Sequence, residues 1–147
     1  MKRRCKQTTP ALGAGDIRNH GERNDMQNQK TIEKILKNLN MRSPEIEASA
    51  IMTRDGMMVA SEMKPGVEPD RVAAMCAALL GLSDTAASEL DRGELRLVLL
   101  HGAKGVLLLV QVGESHVLAL SATTDIKLGA VLMESRRAAG ELQAELI

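Results

Sequence analysis

Ile32, Ile35, Leu36 and Leu39 recur at i, i+3, i+4 and i+7 with lysines and a glutamate between them, which predicts a helix with one narrow apolar face from about Gln29. Pro44 closes that helix and its exit loop. The pattern then shortens to two apolar runs, IEASAIMT and MMVASE, which predict strands joined at Asp55-Gly56. An Asp-Gly pair between apolar runs is a strong hairpin signal, because glycine tolerates positive φ and aspartate hydrogen-bonds locally. Asp55 is therefore read as a turn residue rather than a catalytic one, since no histidine or second carboxylate is tied to it by spacing.

After the loop KPGVEP a long helix is expected from about Pro69 to Leu90, with Pro69 suited to its first turn. Val72, Met75, Cys76, Leu79, Leu82, Ala86 and Leu90 form its main apolar stripe, expected to lie on a sheet. Ala73, Ala74, Ala77, Ala78, Leu80 and Gly81 make the first three turns apolar all round. Such a helix is covered on more than one side. The small residues Ala74, Ala78 and Gly81 are expected to meet a partner closely. Three further runs, ELRLVLLH, GVLLLVQV and HVLALSA, are joined by GAKG and GES and predict an antiparallel meander. Its middle strand is almost continuously apolar, which implies cover on both faces. A last helix is expected from about Ile126, capped by Thr124 or Asp125, with Leu128, Val131, Leu132, Ala138, Ala139, Leu142 and Leu146 at helical spacing and Arg136 and Arg137 facing outward. The predicted order is helix, two strands, helix, three strands, helix, without an internal repeat.

Composition divides the chain near residue 27. Residues 1–27 hold basic groups at Lys2, Arg3, Arg4, Lys6, Arg18 and Arg23 against Asp16, Glu22 and Asp25, with almost no large apolar side chains. This stretch is expected to be a disordered polar tail, and residues 28–147 a single folded domain. The chain contains no Phe, Tyr or Trp, so leucine, valine, alanine and nine methionines must fill the interior. That removes base-stacking platforms, and the net charge of zero supplies no general field for nucleic acid or an anionic membrane. No run reaches the length of a membrane span, and the basic start lacks the apolar segment of a signal peptide, so a cytoplasmic protein is expected.

The residue types that carry chemistry are scattered. Cys5 and Cys76 lie far apart, and Cys76 is read as a small buried apolar residue. His20 lies in the tail, and His101 and His116 belong to strands with a third between them, which argues against a shared metal. Ser115 beside His116 is not read as a dyad, because neighbours on a strand point to opposite faces. GAKG lacks the spacing of a phosphate loop and reads as a hairpin turn. No catalytic, metal or cofactor site is expected.

Four segments together resemble the roadblock/LC7 (dynein light chain roadblock-type) family, in its stand-alone prokaryotic form. They are AIMTRDGMMVAS, GVEPDRVAAMCAALLGLSDTAASEL, GVLLLVQVGESHVLALSATTDIKLG and LMESRRAAGEL, spread from about Thr31 to the C-terminus. The resemblance implies an α+β fold with a five-stranded antiparallel sheet in order 2-1-5-4-3, the long helix on one face and the other two helices on the opposite face. It also implies a homodimer in which the middle helices and third strands of two subunits pair. Its members are non-catalytic regulators and scaffolds, and the stand-alone prokaryotic ones act on Ras-like small GTPases. The implied dimer and partner surface comprises Arg71, Ala74, Met75, Ala78, Gly81 and Leu82 with Leu95, Leu97 and Leu99. The alternative is a small-ligand sensor of PAS- or GAF-like outline, disfavoured by the lack of aromatic and convergent polar groups.

Overall fold

Turns as short as Asp55-Gly56, GAKG and GES permit only antiparallel return. The computed structural model, which describes residues 14–125 and 127–146 with side chains from Arg23 onward, builds a single five-stranded sheet from these runs. The elements are α1 (Ala14–Arg42), β1 (Ile46–Thr53), β2 (Met58–Glu62), α2 (Pro69–Glu89), β3 (Leu97–Gly102), β4 (Gly105–Val112), β5 (His116–Thr123) and α3 (Leu128–Leu146). The sheet order is β2-β1-β5-β4-β3 with every pair antiparallel, the α+β arrangement expected.

Two apolar layers hold the helices on. Ile32, Leu36 and Leu39 of α1 and Val131, Ala138 and Leu142 of α3 pack on Ile51, Leu108, Leu118 and Leu120. On the other face Ala73, Cys76 and Leu80 of α2 meet Ala50, Met52, Leu109, Val117 and Ala119. The central strand β5 is thus buried on both faces from Val117 to Leu120. Burying a leucine or valine fully contributes about 1.5–3 kcal/mol, so this double cover accounts for much of the stability.

Four expectations are corrected. The first helix begins at Ala14 rather than near Gln29, so it runs back into the stretch read as a tail; residues 1–13 lie outside the described residues. Once α1 is anchored by Ile32 and Leu36, adding further turns costs little, even though residues 23–28 are exposed and bury nothing. The last helix begins at Leu128, and β3 at Leu97 rather than Glu94, because positive φ at Asp91 and Gly93 shapes the chain between α2 and β3 into a loop. The fourth correction is the phase of α2. Met75 and Leu82 face solvent at 57% and 73% exposure, while Ala73 and Leu80 face the sheet.

Gly56 gives the reason for that phase. The turn between β1 and β2 lies directly on α2, where a Cβ on Gly56 would stand 3.2 Å from the Ala77 Cβ and 3.4 Å from the Ala73 carbonyl oxygen. Only alanines on that side of the helix let the turn come so close. Gly56 also has φ +95°, a conformation that side chains disfavour. Asp55 closes the turn: its carboxylate accepts from the Thr53 hydroxyl, which accepts the Met57 amide at 2.9 Å. Gly56→Val should lower stability by about 2–3 kcal/mol from backbone strain and crowding together. Asp55→Asn, which keeps the acceptor, should be nearly silent. Urea unfolding of the two variants checks this, and a wild-type midpoint for Gly56→Val would refute it.

Candidate interaction surface

The two edges of the sheet differ in how they end. On β2 the Val59 carbonyl accepts the Gln29 side-chain amide at 2.9 Å, and the Glu62 carbonyl accepts that of Asn40 at 3.4 Å. Both donors come from α1, which lies along this edge and occupies backbone groups that another strand would need. At the β3 edge no side chain among the described residues bonds to the strand. An edge with unpaired amides and carbonyls is a template for strand addition. One edge is thus guarded and the other is open.

Beside the open edge lies the uncovered part of α2. Its Ala73–Ala77 side rests against the β1–β2 turn, and Arg54 of that turn reaches Asp84 at 3.3 Å. On the other side Val72 and Leu79 are partly buried against the same sheet cluster as Leu107 of β4. Between these flanks and away from the sheet lie the exposed Met75 and Leu82, with Ala74, Ala78 and Gly81 toward the turn side. The six α2 residues expected at an interface, Arg71 included, are therefore all exposed.

The three expected on or near β3 divide. Leu95 is half-buried under α2. Leu97 pairs with Val110 and Leu99 with Leu108, which sets both on the α1/α3 face. The β3 residues on the α2 face are Val98 and Leu100, opposite Leu109 and Leu107, and Leu100 is 48% exposed. Those two lie on the same face of the sheet as α2 and, like Leu79, are not among the residues expected at the interface. Strand alternation was available as a signal, but an all-apolar strand does not reveal which face is which.

Polar chemistry is sparse among the described residues. Burial pushes the Cys76 thiol up, which keeps it protonated and inert near neutral pH. His101 and His116 are separated by β4, and no three His, Cys, Asp or Glu side chains among the described residues stand close enough to share a metal. Ser115 and His116 do meet, with Oγ 3.0 Å from Nδ1, contrary to the alternation argument. Ser115 belongs to the turn before β5, where the two-residue period does not apply. No carboxylate among the described residues bonds the His116 ring, so the pair lacks the third group that orients a general base.

The model of the Roadblock/LC7 domain matches residues 31–122, from the buried part of α1 to the end of β5. The chain belongs to the Roadblock/LC7 family. An uncharacterized protein of Methanocaldococcus jannaschii, MJ0310, is 29% identical over 113 residues, covering 77% of this chain and 97% of its own length. Myxococcus xanthus MglB shares the fold with a TM-score of 0.73 at 19% identity, over 79% of this chain and 87% of that one. The Roadblock/LC7 domain from Streptomyces avermitilis does so with the same TM-score and identity, over 78% and 96%. The Roadblock/LC7 match takes in α2 and both sheet edges, so the open edge and the exposed helix face lie inside the family domain. No helix among the described residues is long and apolar enough to cross a membrane.

Proposed function

We propose that this chain is a dimeric, non-catalytic regulator or scaffold in the cytoplasm that binds a Ras-like small GTPase and modulates its nucleotide cycle. The observation that carries the dimer is the exposed apolar face of α2 lying next to the open β3 edge. A lone copy leaves Met75, Leu82 and Leu100 in water together with a row of unpaired backbone groups. Pairing about a two-fold axis covers both at once, and the guarded β2 edge stops the sheet from growing in the other direction. Membership of the Roadblock/LC7 family, whose stand-alone prokaryotic members act on such partners, supports the GTPase reading. A GTPase responds to a partner that holds its switch regions in one arrangement, and a rigid helix pair on a continuous sheet is suited to that.

The test pairs the purified chain with the Ras-like GTPases of its source organism and measures binding, GTP hydrolysis and release of a fluorescent guanine nucleotide. Binding to one of them with a changed hydrolysis or release rate is the expected outcome. Absence of binding to all of them at tens of micromolar would overturn the GTPase reading and leave the dimer to stand or fall by its mass.

A further inference from the structure

An apolar slot of about 360 Å³ opens beside the first turn of α2. Its floor is made of the small residues Ala48, Ala119 and Ser121, and its walls of Val67, Val72 and Leu107. Ala119 is buried under α2, whereas Ala48 and Ser121 are only half-buried, so the slot lies at the margin of the sheet area that α2 covers. The Ser49 hydroxyl, which borders it, is turned away and bonds the Leu36 carbonyl, and the two charged residues at its rim, Glu47 and Lys64, pair with each other at 3.3 Å, so the space between is left to an apolar group. Leu107 pairs across the ladder with the exposed Leu100, which makes the slot continuous with the open-edge surface.

At the other end of the same helix an apolar side chain has no cover. Leu90 is 66% exposed, yet its position is fixed: its amide bonds the Ala86 carbonyl at 3.0 Å, and the Arg92 amide returns to Ala87 at 2.8 Å. It cannot fill the slot of its own chain, because Val72 and Leu90 are eighteen residues apart, about 27 Å along a helix. The sequence on this side of the helix is symmetric about Leu79, with Val72 and Ala86 seven residues to either side. An antiparallel copy centred there brings Leu90 level with Glu68, next to Val67. It also brings Arg71 to within two residues, about 3 Å of helix rise, of being level with Glu89. Both are exposed, and neither forms an ion pair within the chain among the described residues.

We infer that the slot walled by Val67, Val72 and Leu107 receives Leu90 from a second copy of the chain, in an antiparallel pairing of α2 helices centred on Leu79 and flanked by Arg71–Glu89 contacts. This rests on the dimer proposed above and adds its register. Each copy then donates one leucine and accepts one, so both slots are occupied only in the closed pair.

Disulfide trapping tests the register, in full-length chain carrying Cys5→Ser so that the buried Cys76 is the sole native thiol. Val67→Cys combined with Leu90→Cys should give a covalent dimer under mild oxidation, since the two positions come within disulfide reach only between copies. Each single substitution should stay uncrosslinked, because the centred antiparallel register holds like positions far apart. Charge reversal gives a second arm that needs no new bond. Arg71→Glu and Glu89→Arg should each raise the dimer dissociation constant roughly tenfold, and an equimolar mixture of the two should restore it as a heterodimer. Crosslinking of the single variants, or a wild-type dimer in which neither the double cysteine links nor the mixture recovers, overturns the register and leaves the dimer intact. A wild-type monomer by light scattering at micromolar concentration overturns the dimer itself.

Discussion

Leu82→Glu should give a folded monomer. Leu82 is 73% exposed and takes no part in either apolar layer, so the change should alter the stability of a single copy by no more than about 0.5 kcal/mol. In the paired helices the same substitution buries one carboxylate from each copy without a cation to meet it. Leaving a buried charge uncompensated costs about 3–5 kcal/mol, and each 1.4 kcal/mol is tenfold in affinity, so dimerisation should weaken at least a hundredfold. Ala78→Glu makes the comparison informative. Ala78 lies on the flank nearer the β1–β2 turn, so its glutamate can reach water, and its effect should be smaller. Light scattering across a concentration series, with helix content followed by circular dichroism, reads both. A Leu82→Glu protein that dimerises like wild type would remove this face from the interface, and a larger loss for Ala78→Glu would move the seam to the small-residue strip.

That contrast shows where the sequence could be read and where it could not. The α1 face, the Asp55-Gly56 turn and the five strands follow from local rules, because each has a clear period or a turn residue with one preferred geometry. The phase of α2 does not. A helix that is apolar all round has no single preferred direction, and two of its large apolar side chains, Met75 and Leu82, look like core although they point outward. What turns them out is the approach of Gly56 to Ala73 and Ala77, a contact between segments far apart in the chain. The same holds for the guarded edge. Gln29 and Asn40 read as ordinary polar positions on α1 until the fold lays them beside the Val59 and Glu62 carbonyls. On β3 the alternation is legible but its phase is not: the fold sets Leu97 and Leu99 on the α1/α3 face and Val98 and Leu100 on the α2 face.

Gly105→Ala should produce the largest loss of stability for the smallest change in volume. Gly105 opens β4, opposite Gly102 of β3 on one side and Thr123 of β5 on the other. A Cβ there would come 2.3 Å from the Ala122 carbonyl oxygen, and that obstacle is backbone held in the centre of the sheet rather than a side chain that can swing aside. Either the start of β4 moves away from β5 and loses pairing, or β5 shifts against Leu36 and Leu142 in the most tightly covered part of the core. Overpacking of this kind costs about 1–3 kcal/mol, and the rigid partner places this site at the upper end. For a chain of this size that is a fall of roughly 5–10 °C in the unfolding midpoint. Gly102→Ala is the matched control, since its Cβ would meet only the Gly105 carbonyl oxygen at 3.6 Å, an ordinary contact. Because β3 is held to the sheet through β4 alone, displacing the start of β4 also misaligns the open edge. Gly105→Ala should therefore weaken dimerisation as well as folding, whereas Gly102→Ala should leave both close to wild type. Equal melting of the two variants would show that β4 can give way at Gly105 without cost, and would separate the edge from the core that is taken to support it.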